Sequence, residues 1–231
     1  MNNLKPRFKA FFTPLIKTSA LAFAAVLSIA TPNVQAQQTS IAGDDLMTIT
    51  ILGAVGTLAY SCYIGQAPCS ADPDLNTDKL TFSVDNGVDG AATHWRLGIG
   101  ADWNKSLYEG ENWRLAGRLE ASLHSWDEKA SATYQGDSGY IIGITPVFHY
   151  ELKNWKYTPF IEMGTGPHLM SQTTVASEDK ATQFQFGNIL GLGMDFNGIE
   201  VGYRYLHISN AGIAQPNPGA DFHNLHIGYK F

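Results

Sequence analysis

From Lys79 to the last residue, apolar and polar positions alternate in step with a pleated strand. The clearest stretch is "THWRLGIGADW" (93–103), where Trp95, Leu97, Ile99, Ala101 and Trp103 share one face and Arg96, Gly98, Gly100 and Asp102 the other. Successive strand side chains point to opposite sides, so a period of two predicts a strand with one wholly apolar face. The same grammar recurs in "KLTFSVDNG" (79–87), "NWRLAGRLEASLHSW" (112–126), "GYIIGITPVFHYEL" (139–152) and "KYTPFIEMGTGPHLMS" (156–171). It continues in "TQFQFGNILGLGMDF" (182–196), "EVGYRYLHISN" (200–210) and "DFHNLHIGYKF" (221–231). The chain is therefore expected to be all-β, with eight strands.

Charge decides between two ways of using such strands. Arg96, Arg118, Glu120 and Arg204 sit inside strands that also carry a full apolar face. A soluble β-sandwich alternates too, but gives no reason to put charges behind a face edged at both ends by aromatics. A membrane barrel does, because lipid lies outside and a narrow polar space inside. The expected fold is an eight-stranded antiparallel transmembrane β-barrel of the outer membrane, spanning 79–231.

Connections at 104–111, 153–155 and 197–199 alternate with those at 88–92, 127–138, 172–181 and 211–220. Two of the first set are tight turns and three of the second are long, the asymmetry of periplasmic turns and outer loops. Leu225, Ile227, Tyr229 and Phe231 alternate to a terminal aromatic, which resembles the C-terminal signal read during outer-membrane insertion. Pro146, Pro159 and Pro167 fit a closed barrel least well and are expected at bulges or strand ends.

The beginning of the chain follows other rules. Lys5, Arg7, Lys9 and Lys17 precede a short apolar run, "ALAFAAVLSIA" (20–30), and small residues lead up to Ala36. This is the pattern of a secretory signal peptide over residues 1–36, too short in its apolar part to span a bilayer. Of the 15 Lys and Arg, four leave with it; the 11 that remain face 21 Asp and Glu, a net charge of −10. That balance argues against a nucleic-acid partner, whose binding needs a basic face. Residues 37–78 form an extension outside the strand pattern, with no charge between Asp45 and Asp72. A strand pair, a helix at the membrane surface and a segment packed into the barrel mouth all remain open. In an exported chain Cys62 and Cys69, across a Gly/Pro-containing turn, are expected to form a disulfide.

One group of residues suggests chemistry. A hairpin centred on Ala214 pairs 207 with 221 and 205 with 223, and keeps the odd residues on the face that Leu225 to Phe231 turn to lipid. His207 and Ser209 then stand about 6.6 Å apart along one strand at ~3.3 Å rise per residue, with Asp221 across the ladder. A nucleophile, a base and a tautomer-fixing carboxylate in this arrangement are the elements of a serine hydrolase. The bland alternative is a polar rim that only touches lipid headgroups. His223 and His226 have opposite parity and cannot share a metal on a flat ladder; His94, His124, His149 and His168 show no ligand spacing. Glu162 reads as an interior polar residue.

The stretch "HISNAGIAQPNPGAD" resembles the signature of the lipid A 3-O-deacylases, the PagL-type outer-membrane family: His-x-Ser-Asn-(Ala/Gly), a loop with Pro-Asn, and an acid fourteen positions after the His. Likeness extends through "WRLGIGADWNKS", "PVFHYEL", "PFIEMGTG" and "GNILGLGMDF", over about residues 80–231. The resemblance implies an esterase that removes the ester-linked 3-hydroxyacyl chain at the 3-position of lipid A. It makes His207 the general base, Ser209 the nucleophile and Asp221 the orienting acid. Asn210, helped by the N–H groups of Ala211 and Gly212, would form the oxyanion hole. The implied partners are lipopolysaccharide and outer-membrane lipid, with a homodimer possible and no cofactor or metal. Two departures stand out: Asp221 replaces the family's usual Glu, and the 37–78 extension is longer than usual. A barrel phospholipase or acyltransferase, and a non-catalytic structural or adhesive barrel, are the competing functions.

Overall fold

The computed structural model describes residues 41–64, 74–130, 135–175 and 178–231. The expected signal peptide and Cys69 lie outside the described residues, while Cys62 is disulfide-bonded. A helix, α1 (Ile41–Tyr63), precedes β1 (Leu75–Asp89), β2 (Ala92–Trp103), the short β3 (Tyr108–Glu109), β4 (Trp113–Glu128) and β5 (Asp137–Leu152). Then follow β6 (Thr158–Met170), the small hairpin β7 (Thr174–Val175) and β8 (Glu178–Asp179), β9 (Phe184–Asp195), β10 (Ile199–Ser209) and β11 (Ala220–Lys230).

The eight long strands run β2-β1-β11-β10-β9-β6-β5-β4, and pairing of β2 with β4 closes the ring. All pairings in the ring are antiparallel, including the first long strand with the last. Closure leaves the ring without a free edge, so its strands pair their backbone polar groups with one another instead of with water. The side-chain period then sorts the surface. Leu97, Ile99, Ile142, Ile161, Leu192, Leu225 and Ile227 are exposed outward, an apolar belt edged by Trp95 and Tyr140 at the long-loop end and by Trp113 and Trp155 at the other. The barrel has no open lumen for charges to face, so the inward charges must satisfy one another.

They do so in a network centred on Arg204 of β10. Its Nε and Nη2 donate to Glu162 of β6 at 2.6 and 2.9 Å, and its Nη1 donates to Asp85 of β1 at 3.2 Å and Glu120 of β4 at 3.3 Å. Arg96 of β2 donates to Asp85 at 2.9 Å and also to Glu120. Toward the short-turn end Arg118 holds Glu200 through two bonds of 2.6 and 3.0 Å. Toward the long-loop end the interior becomes apolar: Leu206, Ile208, Phe222, Ile189, Ile141 and Trp126 pack in one cluster. Glu162 is the interior polar residue that the sequence predicts.

The prolines differ from expectation in one respect. Pro159 lies near the start of β6, but Pro146 and Pro167 mark no bulge. The β5–β6 ladder runs Gly143↔His168 and resumes at Val147↔Gly164 with its register unchanged. The two prolines share the unpaired stretch between these points. Each lacks a backbone N–H to contribute, so placing both within the same stretch confines the loss to a single gap.

Of residues 37–78, the described Ile41–Tyr63 form α1, which lies on the outer wall of the barrel and not in its mouth. Met163 of β6 and Tyr150 of β5 point outward; a Cβ on Gly53 would lie 2.2 Å from Met163 Sδ, and the Thr57 and Tyr150 hydroxyls are hydrogen-bonded. Leu58 packs beside Trp103, Leu107, Leu115 and Phe148. β1 begins four residues before the expected start of the strand pattern.

Removing Arg204 would leave Asp85, Glu120 and Glu162 buried with too little positive charge. An Arg204→Leu barrel is expected to lose about 3–5 kcal/mol, the cost of breaking a buried ion pair from one side. Urea unfolding followed by the electrophoretic shift between folded and unfolded barrel reads that loss.

Candidate active site

The β10–β11 hairpin has the register expected from the sequence, with His207 opposite Asp221 and Tyr205 opposite His223. Odd residues face outward and even ones inward, so the site and the ion network occupy the two faces of one strand. His207 Nδ1 lies 2.6 Å from Asp221 Oδ1. That oxygen also accepts a hydrogen bond of 2.6 Å from the Tyr205 hydroxyl. Asp221 thus accepts, and His207 carries its proton on Nδ1, leaving Nε2 as the basic nitrogen. Direct opposition across the ladder brings the side chains close enough for an aspartate to reach, which accounts for the shorter acid at position 221.

His207 and Ser209 are neighbours on the outward face of β10, and both are buried although Asp221 is half exposed. Among the described residues His207 Nε2 is buried without a hydrogen-bond partner. An unpaired buried nitrogen costs stability, and pairs of this kind commonly close only when substrate is bound. Asn210 does something the sequence does not reveal. Its backbone N–H donates to Asn217 Oδ1 at 2.9 Å, and its amide donates to Ala214 O at 2.9 Å and Lys180 O at 3.0 Å. Asn210 Oδ1 accepts from Gly212 N at 2.9 Å. Asn210 therefore organises the 210–219 loop, and the N–H groups of both Asn210 and Gly212 are already engaged. Among the described residues, no three His, Cys, Asp or Glu side chains converge to hold a metal.

A family model described as lipid A 3-O-deacylase (PagL) matches residues 89–230, more than half of the chain and all of this hairpin. The chain belongs to this family. It is 42% identical over 189 residues to a protein of Bordetella bronchiseptica named lipid A deacylase PagL, covering 78% of this chain and 95% of that one. The identity to the Pseudomonas aeruginosa protein of the same name is 36% over 135 residues, 57% of this chain and 74% of that relative. The crystal structure of the outer membrane enzyme PagL superposes with a TM-score of 0.58 at 31% identity, covering 64% of this chain and 98% of that one. The protein is an outer-membrane β-barrel.

In this PagL-family chain, two residues from distant segments and one glycine of the hairpin's own loop support the site. Asp89, at the end of β1, accepts the Asp221 N–H at 2.9 Å. Lys180, buried in the connection between β6 and β9, bonds the carbonyl of Gly219 and, through its own carbonyl, the amide of Asn210. Gly219 has φ +74, and a Cβ there would stand 2.6 Å from His207 Cε1 and 3.3 Å from Nε2. Only glycine both adopts that backbone and clears the imidazole. His223 pairs with the Tyr203 hydroxyl at 2.5 Å on the outward face, whereas His226 points inward to Asp85, so the two histidines are separated by the wall.

Two substitutions probe this arrangement. Tyr205→Phe removes one donor to the carboxylate and is expected to lower hydrolytic turnover about tenfold, from a charge-assisted bond of about 1.5 kcal/mol. Gly219→Ala drives a methyl group into the His207 ring and should abolish turnover while the barrel keeps its folded electrophoretic mobility. Both are measured as initial rates on purified, refolded barrel.

Proposed function

We propose that this chain is an outer-membrane esterase that removes the 3-hydroxyacyl chain from the 3-position of lipid A. The observation that carries the reading is the His207–Asp221 bond on the lipid-facing wall, within the hairpin that the PagL family model covers. The relatives' names supply the substrate. A nucleophile on the outward face at the long-loop end, beneath the outer headgroups, meets an ester in the membrane without extracting the lipid from it.

In this reading Ser209 Oγ attacks the ester carbonyl and passes its proton to His207 Nε2. Asp221 holds the opposite nitrogen and stabilises the imidazolium that forms. Collapse of the tetrahedral intermediate breaks the bond to the sugar oxygen, which leaves with the proton from Nε2. Water, deprotonated by His207, then cleaves the acyl-enzyme and releases a 3-hydroxy fatty acid. Of the three donors suggested for the oxyanion, Asn210 and Gly212 are occupied within the loop, which favours the N–H of Ala211, held at φ 53 between them. Asn210 contributes by shaping that turn.

Ser209→Ala and His207→Ala are each expected to abolish the loss of one hydroxyacyl chain from lipid A, read by mass spectrometry of lipid A from cells producing each variant. Deacylation retained by either folded variant would remove the triad. Release of fatty acid from phospholipid supplied as sole substrate, with lipid A untouched, would favour the phospholipase reading. No chemical change with the intact protein would favour a structural or adhesive barrel.

A further inference from the structure

The orientation of α1 is the reverse of a soluble amphipathic helix. The fully buried side chains on the barrel side are small or hydroxylic: Thr50, Ala54, Thr57 and Ser61 are spaced by four, three and four residues along one stripe, with Leu58 partly buried at its edge. The opposite face is large and apolar, with Leu52 at 66% exposure, Ile49 at 56% and Tyr63 at 89%. In water this arrangement wastes the apolar side chains and buries the polar ones, the opposite of what drives a surface helix to dock.

The surroundings explain the inversion. The wall beneath α1 is the outward face of β5, β6 and β9, with Leu115 of β4 at its edge, part of the belt that an outer-membrane barrel turns to lipid. The helix therefore replaces lipid on that wall, and its own outer face continues the belt. Small residues let a helix backbone approach a neighbour closely, which is how packing is gained where the hydrophobic effect offers no help. Gly53 against Met163 is such an approach.

The polar groups are arranged for a dry environment as well. Thr57 Oγ1 donates to Gly53 O and Ser61 Oγ to Thr57 O, each at 2.8 Å, and Thr57 is also bonded to Tyr150. Within 46–71 there is no Asp, Glu, Lys or Arg. A crevice of 380 Å³ between helix and wall is lined by Gly56, Thr57, Tyr60, Tyr108, Trp113 and Leu115. It adjoins the aromatic girdle at the short-turn end. Along this wall α1 packs against β5, β6 and β9.

The geometry points to α1 as an intramembrane helix, docked on the barrel by its small-residue stripe and bathed on its apolar face and in the crevice by the acyl chains of bilayer lipid. This rests on the outer-membrane barrel, not on the proposed esterase chemistry, and it stands or falls separately.

The test uses the full chain reconstituted in phosphatidylcholine vesicles, with Leu52→Cys labelled by an environment-sensitive fluorophore. Glu111→Cys, in the exposed turn before β4, is the aqueous control. Nitroxide groups on the lipid acyl chains are expected to remove most of the emission from position 52 while aqueous iodide leaves it unchanged; position 111 should behave in the opposite way. Quenching at 52 by iodide and not by nitroxide lipid would place the helix in water and overturn the proposal. Protection from both, with crosslinking through position 52 to a second copy, would make the face a protein interface and overturn it equally. A Gly53→Leu background adds a second reading: pushing the helix off Met163 should change the nitroxide depth profile at 52 with the barrel still folded. An unchanged profile would count against docking through the stripe.

Discussion

Everything on the lipid-facing side of this barrel depends on charges neutralising one another inside it. Arg204 ties β10 to β1, β4 and β6 through Asp85, Glu120 and Glu162, strands that approach only because the ring is closed. Eight strands leave too little room for water to solvate these groups, so each charge is compensated by a named partner or the barrel is unstable. Because β10 alternates, Arg204 pins its inner face while Tyr205, His207 and Ser209 emerge on the outer one. The apolar cluster around Leu206, Ile208 and Phe222 backs the same segment. The side chains proposed for catalysis thus stand on a strand anchored from its inner face, and rigid support of this kind is what a precise proton transfer requires.

Above the wall, support comes from loops. Asp89 and Lys180 reach the hairpin from two separate parts of the chain and Gly219 acts from its own loop: they constrain the backbone of Asp221, the carbonyl of Gly219 and the edge of the imidazole. The 210–219 loop folds about Asn210, whose amide and carbonyl hold both ends of its turn. These contacts give the site its shape at the end of the barrel where lipid headgroups and water meet.

Much of this was legible in the sequence because a strand's period of two is rigid. Once Leu225 to Phe231 face lipid, parity places Asp221, and hairpin symmetry places His207 across from it. What escaped has physical reasons. The role of Tyr205 is not legible, since alternation says which way a side chain points and not what its hydroxyl meets. Lys180 and Asp89 act through backbone carbonyl and amide groups of remote loops, where no spacing rule applies. Asn210 was expected at an oxyanion because its position in the family motif is visible, while its loop bonds are not. The course of α1 could not be read because its pattern is inverted: small and hydroxylic residues are ordinarily taken as the solvent side. Pro146 and Pro167 lie on different strands, and only the pairing shows that they share one gap.

The filled interior also fixes the routes by which molecules reach and leave this protein. With Arg204 and its partners across the middle and Trp126, Phe222 and Ile141 packed above them, nothing passes down the barrel axis. A lipid cleaved at Ser209 would arrive by lateral diffusion in its own leaflet, and the freed acid would depart the same way. The enzyme's effective concentration scale is then two-dimensional: its rate follows the mole fraction of substrate in the surrounding membrane, and dilution of the cells or vesicles leaves it untouched.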